Sequence, residues 1–179
     1  MNKNVERILF TEEQLKNRVS EMAQEINKHY KGEPVVVVSV LKGSVVFAVD
    51  LIKQLDMPVS LDFICASSYG SGTISSGKLI IKKDVELDVE GKNILLLEDI
   101  IDTGETLHEI MKMLKGRGAK SIVTAMMFNK PARRKKAVQA DFIGFDIPDE
   151  FVVGYGLDYD EQYRNLPYLG VLKRSVYEK

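Results

Sequence analysis

One stretch, NILLLEDIIDTGETL at residues 93–107, constrains the fold more than any other part of the chain. It starts with the apolar run Ile94–Leu97, which is typical of a strand buried on both faces of a parallel sheet. The acids Glu98 and Asp99 follow, and Asp102–Thr106 then favours a tight turn that opens a helix. Ligands of open α/β sheets bind at the carboxyl ends of strands. The stretch therefore predicts three carboxylates and a set of backbone N–H groups at one strand tip.

Strand-like and helix-like segments alternate along the chain, which predicts a doubly wound, mostly parallel α/β sheet with flanking helices. Thr11 and Gln14 form a capping-box-like start for a helix that we expect to run to about Tyr30. A β-branched strand at Val35–Val40 and a helix at Val45–Leu55 follow. The other predicted elements are strands at Val59–Cys65, Lys78–Lys83, Asn93–Leu97, Ser121–Phe128, Asp141–Phe145 and Tyr168–Leu172, and a helix at Glu105–Lys115.

The segment Ala66–Gly77 has a different composition, because Ser, Gly and Thr make up nearly all of it and Tyr69 is its one aromatic residue. Such a segment buries little apolar area. A loop of this length inside a compact domain is usually functional or disordered. We therefore expect a mobile surface loop here.

Composition narrows the class of protein. A chain of 179 residues that is 45% hydrophobic suits one α/β domain over residues 1–179. The formal net charge of −1 makes nucleic acid an improbable partner. The single cysteine, Cys65, is typical of a reducing compartment. Because no apolar signal segment and no membrane-length apolar run is present, we expect a soluble cytoplasmic protein that does not bind membranes.

The acids and the turn after them suggest a specific chemistry. Glu98 and Asp99 would repel each other unless a cation lies near them, and Mg²⁺ is a plausible candidate; the alternative is a solvated acidic pair. Asp102–Thr106 offers consecutive N–H groups, hydroxyls and a helix N-terminus, a combination that binds phosphate. The alternative is that Asp102 or Thr103 merely caps the helix, a role that is compatible with an anion site.

Other nucleotide and catalytic motifs are missing from the sequence. It contains no Gly-x-x-x-x-Gly-Lys-Ser/Thr segment and no Gly-x-Gly-x-x-Gly after the first predicted strand, which argues against a P-loop ATPase and a Rossmann dinucleotide site. His29 and His108 have no Cys or Ser partner in a known motif. A zinc site or a nucleophilic triad is therefore not expected.

Five motifs resemble one enzyme family. LLLEDIIDTGETL resembles the phosphoribosyl pyrophosphate signature of the type I phosphoribosyltransferases. VLKGS at Val40–Ser44 resembles their pyrophosphate loop, and SSYG at Ser67–Gly70 resembles the start of their mobile loop. FNKPARRK and FVVGYGLDYDEQYRNLPY resemble the purine-binding segments of the hypoxanthine-guanine phosphoribosyltransferases. The match runs from about residue 8 to residue 173, with the motifs in the family's order.

The resemblance implies the family's fold, with a small hood formed by the terminal segments, and its reaction. The enzyme would transfer the 5-phosphoribosyl group from phosphoribosyl pyrophosphate to a 6-oxopurine, using Mg²⁺, and would release pyrophosphate. It would assemble as a homodimer or homotetramer. Glu98 and Asp99 would lie under the ribose hydroxyls and organise Mg²⁺, and Asp102 would reach N7 of the base as general base. The residues implied to bind the phosphoribosyl group and its 5′-phosphate are Glu98, Asp99, Asp102, Thr103, Gly104, Glu105 and Thr106.

The resemblance also implies roles farther along the chain. Pyrophosphate would be bound by Lys42, Gly43 and Arg164. The peptide bond before Lys42 can be cis in this family. Asp158 would help to hold a second Mg²⁺. Ser68 and Tyr69 would close over the site and exclude water. The implied purine-binding residues are Lys130, as donor to the 6-oxo group, Phe151, as the stacking residue, Val152, through its backbone, and Asp158.

Two points leave alternatives open. Glu105 lies at a position where some relatives carry Lys or Arg, so its side chain must point away from a bound phosphate. The basic run Arg133–Lys136 can be a solvated helix face, a subunit contact or an RNA-contacting patch. The competing functions are a xanthine-preferring transferase and a regulator of the same fold that senses nucleotides and binds RNA.

Overall fold

A computed structural model describes residues 1–68 and 79–178. The helices and strands, in chain order, are β1 (Val5–Phe10), α1 (Glu12–Tyr30), β2 (Val35–Leu41), α2 (Val45–Ile52), β3 (Val59–Ser68), β4 (Leu79–Lys83), β5 (Asn93–Ile101), α3 (Glu105–Gly116), β6 (Ser121–Asn129), a 3₁₀ turn (Pro131–Arg133), β7 (Phe142–Asp146), β8 (Val152–Val153), β9 (Leu169–Leu172) and α4 (Arg174–Tyr177).

The larger sheet confirms the predicted fold class. Its six strands lie in the order β4-β3-β2-β5-β6-β7. The pairs from β3 to β7 are parallel, whereas β4 is antiparallel to β3. The strand β5 is central: its Leu96 lies opposite Val38 of β2 and Thr124 of β6. The signature stretch therefore runs through the middle of the sheet.

The two faces of the sheet bury alternate residues of the same strand. Leu95 and Leu97 of β5 pack in the core that contains α1 and α2. Ile94 and Leu96 pack in the core that contains α3. All four are 0% exposed, and burying each such side chain contributes about 1.5–3 kcal/mol. Helices on both faces explain why the strand is continuously apolar rather than alternating.

The hood predicted from the terminal segments is a second, antiparallel sheet of order β1-β9-β8. Val5 pairs with Leu172, and Val152 pairs with Val171. Strand β1 was not among the predicted elements, because the charged pair within VERILF interrupts its apolar pattern. The first helix has the expected capping box at Thr11. None of the helices in the described ranges combines the length and apolar character needed to cross a membrane.

Three predicted boundaries differ from the structure by three residues or more. Strand β5 continues beyond Leu97 to Ile101, so the two acids lie within the strand rather than after it. Strand β3 continues through Ser68 because it pairs with β4, so residues 66–68 belong to a strand and not to the expected loop. Helix α2 ends at Ile52. Tyr69 and the rest of the predicted loop through Gly77 lie outside the described residues.

Candidate active site

The carboxyl end of β5 carries two acids, of which Glu98 is buried and Asp99 is half-buried. Glu98 is 9% exposed. Burial and repulsion by Asp99 raise the pKa of its carboxyl to about 8, although Arg134 acts in the opposite direction. Burial raises the pKa of Asp99 to about 6, against backbone hydrogen bonds and attraction to Arg164. Two neighbouring acids with raised pKa values mark a place where a bound cation would be stabilising.

The turn after β2 places Gly43 directly against Asp99. The buried Ser44 hydroxyl closes this turn by donating to a β2 carbonyl at 2.6 Å. The peptide bond between Leu41 and Lys42 is cis, as the resemblance implied. A Cβ atom on Gly43 would overlap the Asp99 carboxylate. Only glycine therefore permits this approach of the turn to β5.

A third segment meets the same turn from the hood. A Cβ atom on Gly156, whose φ is +97°, would overlap the Gly43 carbonyl. Arg164 donates to the Gly156 carbonyl at 2.8 Å and forms an ion pair with Asp158 at 2.9 Å. The fold thus brings Gly43, Asp99, Asp158 and Arg164 together from three distant parts of the sequence.

Glu161 joins the two cations implied to bind pyrophosphate. Its carboxylate lies 2.9 Å from the Lys42 ammonium and 3.4 Å from the Arg164 guanidinium. These side chains are largely exposed except for that of Arg164, whose Nε is buried without a hydrogen-bond partner among the described residues. Exposed ion pairs are weak because water and salt screen them, so Glu161 holds these two cations only loosely.

The β5–α3 loop, residues 102–104, forms the turn before α3. Gly104 is the N-cap residue, with φ +78° and no side-chain capping bond, while the Thr103 hydroxyl accepts from the Glu105 N–H at 3.3 Å. Asp102 Oδ1 is buried and has no hydrogen-bond partner among the described residues. Asp102 therefore does not act as a simple helix cap. A cavity of about 70 Å³ here is lined by Glu98, Ile100, Ile101, Asp102, Thr103, Gly104, Thr106 and Leu107.

A larger cavity of about 680 Å³ lies between β5, β6 and the hood. The implied site residues that line it are Asp99, Asp102, Lys130, Phe151, Val152 and Asp158. Lys130 is 6% exposed and donates to the Glu150 carbonyl at 2.9 Å. Burial lowers the pKa of Lys130, while nearby Asp102 opposes that shift. The carboxyl ends of two neighbouring strands and the hood thus form one pocket with a buried cation.

The C-terminal helix forms part of this pocket, which the sequence did not suggest. Tyr177 stacks on Phe151 with ring centroids 4.9 Å apart and an interplanar angle of 24°. Tyr159 meets the same ring edge-on at 5.5 Å. Phe151 nevertheless stays 38% exposed. The signal in the sequence was weak, since Tyr177 lies in the short segment RSVY with no motif around it.

The acids of this site suit a divalent cation only in part. Within the described ranges, no three His, Cys, Asp or Glu side chains cluster so that they could hold a metal by themselves. Asp99 and Asp158 are close enough that repulsion by Asp158 raises the pKa of Asp99. Carboxylate oxygens are ligands that Mg²⁺ prefers. The residues present therefore fit Mg²⁺ if a bound substrate supplies further oxygens.

Comparisons with known proteins agree with this geometry. Residues 8–160 match the family model described as "Phosphoribosyl transferase domain". A hypoxanthine-guanine phosphoribosyltransferase of Streptococcus thermophilus is 46% identical over 179 residues, which is 100% of this chain and 99% of that protein. One of Bacillus subtilis is 47% identical over 178 residues, covering 99% of each. A crystal structure of a hypoxanthine phosphoribosyltransferase from Staphylococcus aureus superposes with a TM-score of 0.95 and is 46% identical in sequence. The superposition covers 98% of this chain and 96% of that one.

The fold and the site thus define a type I phosphoribosyltransferase. The chain belongs to the phosphoribosyltransferase family and, within it, to the hypoxanthine-guanine phosphoribosyltransferases.

Proposed function

We propose that this chain transfers the 5-phosphoribosyl group from phosphoribosyl pyrophosphate to hypoxanthine or guanine and releases pyrophosphate, a purine salvage reaction. The observation that best supports the proposal is the single cavity that Asp99 and Asp102 share with Lys130 and Phe151. It joins the acids that would face the ribose with a pocket suited to a flat base, and the transfer requires both reactants to be held together.

In the proposed reaction, N9 of the purine forms a bond to the anomeric carbon while the bond from that carbon to pyrophosphate breaks. The proton on N7 then passes to Asp102. Asp102 suits this role because its Oδ1 is buried and makes no hydrogen bond to any described residue. A general base of this kind contributes roughly 10²- to 10⁴-fold to the rate.

The β5–α3 loop would bind the 5′-phosphate. Thr103, Gly104, Glu105 and Thr106 offer hydroxyls and backbone N–H groups at the start of α3, where the helix dipole favours an anion. Glu98 and Asp99 would lie under the ribose and, with Asp158, hold Mg²⁺. When bound with the donor, Mg²⁺ would neutralise charge on the departing pyrophosphate.

Pyrophosphate would be bound by Lys42, Gly43 and Arg164 after the displacement of Glu161. The tight contact of Gly43 with Asp99 and Gly156 supports this placement, since it holds the turn beside the acids. The closing of Ser68 and Tyr69 over the site, which would exclude water from the reacting cation, stays a prediction.

Base recognition would depend on Lys130, Phe151 and Val152. The Lys130 ammonium spends one donor on the Glu150 carbonyl and has two more, one of which can donate to a 6-oxo group. The Phe151 ring would stack on the purine, and the Val152 backbone would meet the ring edge. Because a donor faces position 6, adenine, with its amino group there, should be a poor substrate.

We further propose assembly as a homodimer or homotetramer and a cytoplasmic location. The apolar face of α2 supports assembly, because Val45 and Val49 are 36% and 40% exposed. The lone cysteine supports a reducing compartment.

A panel of bases tests the proposal. With phosphoribosyl pyrophosphate and Mg²⁺, the full chain should convert hypoxanthine and guanine to their 5′-monophosphates, xanthine more slowly, and adenine hardly at all. Asp102→Asn is the matched variant, which should bind phosphoribosyl pyrophosphate normally but turn over roughly 10²- to 10⁴-fold more slowly. Absence of turnover with all four bases would reject the enzyme, and binding of RNA without turnover would favour the regulator.

A further inference from the structure

The basic run Arg133–Lys136 is not uniformly solvated. Arg133, Lys135 and Lys136 are exposed, whereas Arg134 is half-buried. The Arg134 side chain turns inward: one terminal nitrogen donates to Asn129 Oδ1. The other, Nη1, is buried without a hydrogen-bond partner among the described residues. A buried guanidinium N–H without a hydrogen-bond partner lowers the stability of the fold, so such a group calls for an explanation, such as a role in ligand binding.

The Arg134 side chain packs on the outer side of the β5–α3 loop. A Cβ atom built on Gly104 would lie 3.3 Å from Arg134 Cδ and 3.4 Å from its Nη1. The backbone N–H groups of Lys135 and Lys136 donate to the Thr103 carbonyl at 2.9 and 3.1 Å. The segment that follows the 3₁₀ turn therefore clamps the loop by main chain and by one side chain.

Acids and other cations both lie near Arg134, since Arg133 is 3.8 Å from Asp102 Oδ2. Attraction to Asp102 and Glu98 opposes the effect of burial, which lowers the pKa of Arg134. Asp102 Oδ1, like Arg134 Nη1, makes no hydrogen bond to a described residue. Glu105, the first residue of α3, adds a third acid beside the loop. A loop that must accept a phosphate while it carries these acids needs a cation nearby.

We propose that Arg134 is a positioning residue for the 5′-phosphate. Its guanidinium supports Gly104 from behind, offsets the charge of Asp102, and keeps the N–H groups of the β5–α3 loop directed at the phosphate. The inference rests on the proposed function.

The test separates the phosphate from the rest of the ligand. Arg134→Met and Arg134→Lys are compared with Lys136→Met, which removes the same charge from an exposed neighbour. Binding of inosine 5′-monophosphate and of inosine, which lacks the phosphate, is measured by calorimetry on the full chain. The KM values for phosphoribosyl pyrophosphate and hypoxanthine are measured in parallel.

Arg134→Met should weaken binding of the monophosphate and raise the KM for phosphoribosyl pyrophosphate by about tenfold or more, as expected for the loss of a charge-assisted contact. Inosine binding and the KM for hypoxanthine should change by less than about twofold. Arg134→Lys should recover part of the loss, because it restores the charge without the planar fork. Lys136→Met should resemble the unmodified chain.

Equal weakening of inosine and its monophosphate would overturn the inference and leave Arg134 a merely structural role. So would an Arg134→Met variant that behaves like Lys136→Met. If Arg134→Met does not fold, Arg134→Lys decides the question. The loss of monophosphate binding is then compared with the loss of inosine binding, and the change in KM for phosphoribosyl pyrophosphate with that for hypoxanthine. Failure of the proposed function is recognised separately, since the unmodified chain would then show no turnover with any base.

Discussion

The candidate site has two halves that are built in different ways. The donor half, Glu98–Thr106, is continuous: one strand, one turn and the start of one helix supply all of it. The acceptor half consists of Lys130, Phe151, Val152 and Asp158, which come from the end of β6 and from the hood. In the donor half, local geometry places the groups. In the acceptor half, only tertiary packing brings them together.

This difference determines how each half responds to change. The donor half has two acids, Glu98 and Asp99, whose pKa values are raised mainly by burial. The acceptor half has a buried lysine satisfied by a backbone carbonyl and an aromatic ring supported by the C-terminal helix. Substitutions in the donor half should therefore alter charge and geometry at the reacting centre, while those in the acceptor half should mainly alter affinity for the base.

Gly43 joins the two halves, and Gly43→Ala should have the largest effect. The added Cβ would overlap the Asp99 carboxylate, so the turn or the strand must shift. Displacement of reacting groups by about 1 Å can cost on the order of 100-fold in rate, and we expect kcat/KM to fall by at least that factor. Gly116→Ala is the matched control, since a Cβ there meets nothing within 4 Å.

Steady-state kinetics with hypoxanthine, alongside a thermal melt, separates this effect from unfolding. A Gly43→Ala enzyme that kept most of its activity would show that the two halves tolerate independent movement, which contradicts the tight junction.

The same contrast explains what the sequence could predict. The strand, the turn and the acids of the donor half follow from the apolar run and the Asp-Thr-Gly segment, because consecutive residues determine their own local geometry. The sequence predicts that this strand ends at Leu97, because two adjacent acids are unusual inside a buried strand. In the fold, pairing of Ile100 with Phe128 of β6 extends the strand past them.

The residues around the acceptor half were harder to predict, because their roles depend on contacts across the sequence. Tyr177 acquires a role only when α4 packs beside Phe151, more than twenty residues earlier in the chain. Arg134, which lies beside the donor half, is equally hard to predict, since no sequence pattern distinguishes it from its exposed basic neighbours. The roles of Lys130 and Phe151 came from the family resemblance, not from periodicity, which favoured a plain core strand around Phe151.

Glu98 should make the free energy of unfolding depend on pH. We expect this effect to be smaller than that of Gly43→Ala and larger than that of Tyr177→Ala. Its pKa is about 8 in the folded chain, above the ordinary value of 4.5. Between these values the folded state therefore holds a proton that the unfolded state has lost, and the free energy of unfolding falls as pH rises. The loss should amount to a few kcal/mol by pH 9, or several degrees in Tm.

Glu98→Gln should reduce this fall in stability with rising pH, because the amide does not ionise in this range. Thermal melts of the ligand-free chain at pH 6 and pH 9 measure it, with Glu13→Gln, on the exposed face of α1, as control. If Tm fell equally from pH 6 to pH 9 in the unmodified chain and in both variants, burial would not raise the pKa of Glu98 as we expect.

Tyr177 should give the smallest effect and one confined to the acceptor half. Stacked aromatic pairs contribute about 0.5–1.5 kcal/mol beyond their burial, so Tyr177→Ala should raise the KM for hypoxanthine by roughly two- to tenfold as Phe151 loses its support. The KM for phosphoribosyl pyrophosphate should not change, and Tyr177→Phe should behave like the unmodified chain. Steady-state kinetics with each substrate varied in turn measures both constants. A lower KM for hypoxanthine in Tyr177→Ala would mean that the Tyr177 ring competes with the base for Phe151, and equal changes in both constants would mean that the two halves are not separable at this position.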